Sequence, residues 1–260
     1  MILAMQALPV ERLGAVPAMF MDRVDSTNAE ALRRIAADDI AGACWFVAKS
    51  QDRGRGRQGR PWHSLDGNVF ASLAQPAGSD AMANAQHSYV AAIAVAESLH
   101  AFGVGEIACK WPNDVLVGDA KIAGILLEAA KNAAGQSWLV IGIGVNVAAA
   151  PPAQDTVWPA TALAEHVPHP PSARAFLEDL APRLALWSAR LDRDGFAPLR
   201  SAWMQRAYGL GRRARMQRSD GLLEGLFLGI DETGGGRVRL DSGTERLVHA
   251  GELAFLREME

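Results

Sequence analysis

Ile107-Ala108-Cys109-Lys110-Trp111-Pro112-Asn113-Asp114-Val115-Leu116-Val117-Gly118-Asp119-Ala120-Lys121-Ile122-Ala123-Gly124-Ile125-Leu126-Leu127-Glu128 is the stretch on which the fold class turns. Ile107–Trp111 is a short β-prone run. Val115–Val117 and Ile122–Glu128 are apolar runs joined by the turn Gly118-Asp119, which predicts a hairpin. Strands that follow each other with no helix between them must pair antiparallel, because a parallel pair needs a long crossover. The class this predicts is α+β with a mixed sheet, not a doubly wound one.

Working outward, Trp138–Val147 is almost continuously apolar and suits a central strand. Upstream, residues 18–24 form the first predicted strand, ending at Val24. Thr27 with Glu30 three positions on predicts a capping box, and Leu32, Ile35 and Ala36 give the following helix an apolar face. Cys44–Ser50 and Val69–Leu73 are strands. Gln51–Gly67, polar and aperiodic, is a loop. His87–Phe102 carries Tyr89, Ile93, Ala96 and Leu99 at helical spacing. Residues 148–159 are an irregular connection. Ser172–Leu191 is helical, with an interruption expected at Pro182, and Phe196–Arg206 is a shorter helix. From Tyr208 short strands alternate with Ser219-Asp220-Gly221, Gly234-Gly235-Gly236 and Asp241-Ser242-Gly243, the pattern of a small β-barrel. The expected division is an N-terminal segment 1–17, a main domain 18–205 and a small β domain 206–260.

With 260 residues and 49% hydrophobic content, the chain can bury a core unaided. A net charge of -3 gives no overall pull toward nucleic acid. Cys44 and Cys109 make neither a disulfide framework nor a metal-ligand spacing, which suits a reduced cytoplasmic setting. No secretory signal and no membrane-spanning run is read in the sequence.

Five segments carry chemistry. Gln51-Asp52-Arg53-Gly54-Arg55-Gly56-Arg57-Gln58-Gly59-Arg60 packs four arginines and three glycines into eight residues, followed by Pro61-Trp62. Such a loop can curl its N–H groups and guanidiniums around an anion, or it is a solvated basic loop or an RNA contact. Lys110-Trp111-Pro112-Asn113-Asp114 offers a carboxylate for Mg²⁺ or an incoming amine and an amide for a nucleotide oxygen, or it is a plain turn. Lys121 opens an apolar strand, as an anion-binding charge or as an edge lysine reaching water. Ile141-Gly142-Ile143-Gly144-Val145-Asn146-Val147 places two glycines and an amide in a buried strand, for a ligand or for tight packing. Asp25-Ser26-Thr27-Asn28 caps a helix whose free N–H groups can also meet a ligand.

In this order, Asp-Ser-Thr-Asn, Gly-Arg-Gly-Arg-Gln-Gly-Arg-x-Trp, Lys-Trp-Pro-Asn-Asp, Lys-Ile-Ala-Gly-Ile-Leu and Ile-Gly-Ile-Gly-Val-Asn-Val closely resemble the successive motifs of biotin–protein ligases over roughly residues 18–205. The resemblance implies a catalytic domain of the biotin/lipoate ligase type with a C-terminal SH3-like barrel. It implies activation of biotin with ATP and Mg²⁺ to biotinyl-5'-AMP. Transfer then follows to a lysine of the biotin carboxyl carrier domain of acetyl-CoA carboxylase or a related carboxylase. Carried over by motif, Ser26, Thr27, Asn28 and Gln51 bind the biotin ring. Arg55, Gly56 and Arg57 fold over the ligand, Lys121 bridges carboxylate and phosphate, and Gly142 and Gly144 wall the biotin chain. Arg57, Arg60, Trp62, Lys110, Asn113, Asp114, Asn146 and Trp158 fall to the nucleotide or Mg²⁺ side. Asp114 joins Arg55, Arg57 and Lys121 as a catalytic candidate. A lipoate or octanoate ligase is the alternative on the same fold. A nucleic-acid module using the basic loop with Arg212, Arg213, Arg215 and Arg218 is the alternative of another class. The oligomeric state stays open, a homodimer included.

Bifunctional members of that family carry a helix-turn-helix repressor domain ahead of the ligase, whereas here 17 residues precede the first predicted strand, with Arg12 as their one basic residue. Arginines without a positioned reading helix attract phosphate but do not read bases. Only weak DNA association that fades by physiological salt is therefore expected in an anisotropy titration. Tight binding to one fragment, strengthened by biotin plus ATP, would contradict it.

Overall fold

The geometry rests on a register. In the computed structural model, which describes residues 10–156, 158–218, 221–249, 251 and 253–255, three long strands lie side by side: β4 (Val69–Pro76), β8 (Ser137–Val145) and β7 (Ala120–Lys131). Phe70 pairs with Gly144 and Gly144 with Gly124; Ser72 pairs with Gly142 and Gly142 with Leu126; Ala74 pairs with Val140 and Val140 with Glu128. Side chains alternate faces, so these three rows share one face of the sheet. The opposite face carries Leu73, Leu139, Ile141, Ile143 and Val145 and is the main core.

Around this centre the sheet has eight strands in the order β1-β2-β3-β4-β8-β7-β6-β5. β1 is Val10–Leu13, β2 Val16–Val24, β3 Cys44–Gln51, β5 Ile107–Lys110 and β6 Asp114–Val117. β2 and β3 are parallel, joined across helix α1 (Thr27–Ala36). The remaining neighbours are antiparallel, so the sheet is mixed as expected. The β1–β2 hairpin starts the sheet at Val10, earlier than the strand read from residue 18. A two-residue turn at Gly14, with φ of 58°, makes that possible.

Helix α1 covers part of the first face, packing Ala31 and Ile35 over Cys44, Phe46, Ala74, Trp138 and Val140. The short helix α2 (Ala81–Ala85) was not foreseen in the sequence. Helix α3 (His87–Ala101) lies on the second face and is buried nearly all round, because α4 (Ala173–Asp194) and α5 (Ala197–Met204) pack outside it. Helix α4 runs through Pro182 without the expected interruption. Pro182 is exposed, so the carbonyl it leaves unbonded faces water, while Phe176, Leu180, Leu184 and Trp187 hold the helix to the core. The capping box does not form either. Ser26 is the N-cap without a side-chain bond, and Glu30 pairs with Arg33 and Arg34. Thr27 is instead drawn toward β3 and β4, where Gln51 and Ser72 compete for it.

The C-terminal part forms a five-stranded antiparallel sheet in the order β12-β11-β10-β9-β13. Its strands are β9 (Arg213–Arg218), β10 (Gly221–Ile230), β11 (Gly236–Arg239), β12 (Glu245–Val248) and β13 (Ala254–Phe255). This is a separate sheet of SH3-like character. It is not a closed barrel: β12 and β13 stay its two edges among the described residues. The expected turn at Ser219-Asp220-Gly221 lies in part outside the described residues. The second expected turn docks on α3 and on the segment after β5. Gly234 O accepts from the Tyr89 hydroxyl and, at 3.2 Å, from the Trp111 indole N–H. Asp231 Oδ1 holds that turn by accepting from Thr233 N and Gly235 N.

Gly234 has φ of 95°, and a Cβ there would stand 2.8 Å from the Tyr89 ring, whereas Gly243 (φ 82°) has open space. Both Gly→Ala changes strain the backbone, by about 1 kcal/mol. Gly234→Ala should cost roughly 1–3 kcal/mol more, because it also overpacks the seat. Urea unfolding of the two variants checks this. Equal losses would mean that the docking is soft.

Candidate active site

A cavity of about 400 Å³ opens on the α1 face of the sheet, where α1 stops short and β7 and β8 carry glycines. It gathers Ser26, Thr27, Asn28, Gln51, Arg55, Gly56, Arg57, Arg60, Trp62, Asn113, Asp114, Lys121, Gly142, Gly144, Asn146 and Trp158. Of the residues that the resemblance assigned to biotin, nucleotide or Mg²⁺, only Lys110 is not at its surface, and Arg212, Arg213 and Arg215 of the nucleic-acid alternative lie outside it.

One end is polar and uncharged. Ser26, Thr27 and Asn28 are buried at the start of α1. Thr27 N donates to Gln51 Oε1 at 2.9 Å, and Ser72 Oγ lies 2.7 Å from Thr27 Oγ1 and 2.6 Å from Asn28 Oδ1. The preceding turn is tied by Arg33, whose two bonds to Asp25 hold that carboxyl down to about 2. Gly142 has an immediate reason to be glycine: a Cβ there would collide with the Asn28 amide.

The other end is cationic. Lys121 does not run out along an edge to water; its ammonium stands 2.6 Å from Asp114 Oδ1, close but off the angle of a hydrogen bond. Lys110 stands behind them, 1% exposed, 3.9 Å from Asp114 Oδ2 and 4.8 Å from the centre of the Trp158 ring. It pairs with Asp114 across β5 and β6 and is buried against Trp158, and it does not reach the cavity surface. Asn113 is tied back to β7 through Nδ2 to Ile125 O at 2.7 Å, and its Oδ1 accepts from Arg57 at 3.4 Å. Asn146 is committed to the chain: Nδ2 donates to Thr161 O at 3.1 Å.

The Arg/Gly loop is not formless. Gly56 N donates to Arg60 O at 2.7 Å and Trp62 N to Gly54 O at 2.8 Å, with Gln58 at φ of 57° in the tip. This hook lays the Trp62 indole flat on the sheet. A Cβ on Gly144 would be 2.5 Å from that ring and one on Gly124 3.0 Å. The Trp62 indole N–H is buried and without a hydrogen-bond partner among the described residues. From the other side the segment after β8 closes in, with Asp155 O 3.1 Å from His63 Nε2 and Trp158 bonded to Asp119 O at 2.8 Å.

Sequence reasoning missed Ser72, Glu128, His63, Asp155 and Gly251 around this cavity. Ser72 and Glu128 left a signal, as polar residues inside apolar strands. Gly251, which reaches the cavity from the C-terminal sheet, left none.

Residues 20–146 match the Biotin/lipoate A/B protein ligase family. A protein of Paracoccus denitrificans, Biotin--[acetyl-CoA-carboxylase] ligase, is 40% identical over 238 residues, which cover 90% of this chain and 98% of that one. The bifunctional ligase/repressor BirA of Escherichia coli (strain K12) is 31% identical over 216 residues, covering 81% of this chain and 65% of BirA. In fold, the chain resembles the biotin protein ligase from Aquifex aeolicus in complex with biotin and ATP, with a TM-score of 0.79 at 24% identity, over 93% of this chain and 99% of that one.

Gly144→Ala should lift Trp62 off the sheet and loosen the hook, so the Trp62 amide exchanges with solvent faster. Gly56→Ala, whose Cβ would be 3.6 Å from its nearest neighbour, should not. Unchanged exchange in Gly144→Ala would show that the glycine does not set the ring's position.

Proposed function

The chain belongs to the biotin–protein ligases of the biotin/lipoate A/B protein ligase family, and from that premise we propose how its cavity divides the work of the two half-reactions. The enzyme joins biotin to AMP and passes the biotinyl group to a lysine. In the first step a biotin carboxylate oxygen attacks the α-phosphorus of ATP and pyrophosphate leaves. In the second the lysine amine attacks the acyl carbon, loses a proton, and AMP leaves.

The observation that carries the assignment is the polarity of one cavity: the uncharged hydrogen-bonding side chains of Ser26, Thr27, Asn28 and Gln51 line one end, Arg57 and Lys121 the other, and Arg55 is held beside the first by Glu128. A ureido ring offers both donors and an acceptor, which Ser26, Thr27, Asn28 and Gln51 can answer. The ring of lipoate has none, which favours biotin over the lipoate reading. Trp62 and the strands with Gly142 and Gly144 hold the apolar chain between the two ends. The Trp62 N–H, without a partner among the described residues, is a donor for the ligand, and Trp62 serves the junction between biotin and nucleotide rather than the nucleotide side alone. Arg55, Gly56 and Arg57 close over the carboxylate and α-phosphate, and Lys121 bridges them. Charge moves between these two groups during the reaction, so cations fixed there lower the barrier. Asp114 aims the Lys121 ammonium and lies where an incoming amine would need an acceptor. Lys110 supports the charge from behind, Asn113 and Arg60 serve the phosphates, and Trp158 offers its remaining face to adenine.

A magnesium ion held by the protein does not fit. The Asp114 carboxylate already faces Lys121 and Lys110, the Asn146 Oδ1 that would have to ligate lies 3.5 Å from the Asn68 Nδ2 donor, and no three His, Cys, Asp or Glu side chains gather to hold a metal among the described residues. No step is assigned to one. Cysteine chemistry is also unsuited, since burial pushes the Cys109 thiol up to about 12 and raises that of Cys44. Two buried free thiols suit a reducing compartment, and the cytoplasm is the proposed location. Among the described residues no helix is long and apolar enough to cross a membrane. The proposed acceptor is the biotin carboxyl carrier domain of acetyl-CoA carboxylase or a related carboxylase.

ATP–pyrophosphate exchange should be driven by biotin and not by lipoate or octanoate. Lys121→Met should fold and lose most of it, and Arg57→Ala should lose roughly ten- to two-hundred-fold, the worth of one charged hydrogen bond. Exchange driven by lipoate alone would overturn the substrate. Full activity in both variants would overturn the site.

A further inference from the structure

A chain of polar side chains runs along the cavity floor and begins and ends on the same loop. It starts at Gln51, the loop's first residue, whose Oε1 accepts from Thr27. Thr27 Oγ1 is 2.7 Å from Ser72 Oγ, and Ser72 Oγ is 2.6 Å from Asn28 Oδ1. Asn28 Nδ2 then donates to Glu128 Oε2 at 2.8 Å, and Glu128 Oε1 meets the Arg55 guanidinium at 3.4 Å. Arg55 is only four positions along the loop from Gln51.

The proton count gives this chain a direction. Asn28 Oδ1 can only accept, so Ser72 spends its single proton there and must accept from Thr27. Asn28 is 3% exposed, so its amide cannot trade these partners for water. Turning the amide over would set its oxygen against the Glu128 carboxylate. Glu128 is the one carboxylate of the chain and the nearer of the two acceptors that select the orientation, the other being Leu126 O at 3.4 Å. Its second oxygen meanwhile occupies the arginine that, in the proposed function, receives the ligand's carboxylate.

We propose that Glu128 is a positioning residue: through Asn28 it orders the ring-binding floor, and through Arg55 it parks the loop until the carboxylate of biotin replaces its own. Recognition of the ring and closure over the carboxylate are thereby linked through one side chain that need not touch the ligand. The proposal rests on the biotin-ligase reading.

Two substitutions separate the two oxygens' tasks. Glu128→Gln keeps a carbonyl for Asn28 but no charge for Arg55; Glu128→Leu keeps neither. Adenylation kinetics are measured on the full chain with biotin and ATP varied separately. Hydrogen exchange of residues 53–57 is followed without ligand. Glu128→Leu should raise KM for biotin by about tenfold or more, the scale of a lost bond to a charged acceptor, with kcat and KM for ATP within about threefold of wild type. Glu128→Gln should restore most of KM for biotin, yet exchange faster at residues 53–57. Unchanged KM in Glu128→Leu, equal damage in both variants, or unchanged exchange in Glu128→Gln would each overturn the proposal. A wild-type protein that makes no biotinyl-AMP would overturn the biotin reading and this proposal with it. An active wild type with an insensitive Glu128→Leu would overturn this proposal alone.

Discussion

Everything at the active site depends on keeping one patch of sheet free of side chains. Gly124 and Gly144 stand opposite each other across β7 and β8, with Gly142 two residues along the same face. Their bareness lets the Trp62 ring lie on the backbone and the Asn28 amide tuck against it, tighter than any Cβ would allow. A slip of one residue in register would turn Ile143 and Ile125 into this space and move the glycines to the core. The apolar rows on the opposite face, locked against α3, make that slip prohibitive. The hydrophobic core thus sets the register, and the register leaves room for the site.

The second dependence is electrostatic. Lys110, Asp114 and Lys121 come from β5, β6 and β7, adjacent strands of the hairpin region, so a short run of chain delivers two ammoniums to one carboxylate. The segment between Lys110 and Asp114 carries Trp111, and that indole is the seat of the C-terminal sheet through Gly234. The two sheets are therefore coupled at the turn that presents Asn113 and Asp114. Tyr208 adds a second tie, its hydroxyl donating to Asp119 Oδ1 at 2.5 Å at the far end of the same hairpin.

Much of this was legible in the sequence. The hairpin from Ile107 to Glu128 pointed to the mixed sheet, and the ordered motifs hold most of the residues that line the cavity. What failed was local rules overridden by tertiary partners. Thr27 and Glu30 spell a capping box, but Gln51 and Arg33 take them first. Pro182 signals a break, but four buried apolar neighbours outweigh one lost bond. Lys110 and Lys121 read alike as strand-end lysines, and only the tertiary register shows that Lys110 pairs with Asp114 while an irregularity between β6 and β7 brings Lys121 to the same carboxylate. Glu128 looked like the polar end of a strand, because its partners at Asn28 and Arg55 lie 100 and 73 residues away.

The central claim is that the bare patch between Asn28 and Lys121 is where biotin and AMP are joined. The most direct measurement is a crystal structure of the protein with a non-hydrolysable biotinyl-AMP analogue. The account predicts the bicyclic ring against Thr27, Asn28 and Gln51, the acyl-phosphate link beside Lys121 and Arg57, and Trp62 against the chain between them. An analogue bound elsewhere, for instance in the shallow groove lined by Glu97, His100 and Arg183 on the helical side, or bound with its phosphate on the Asn28 end, would contradict it.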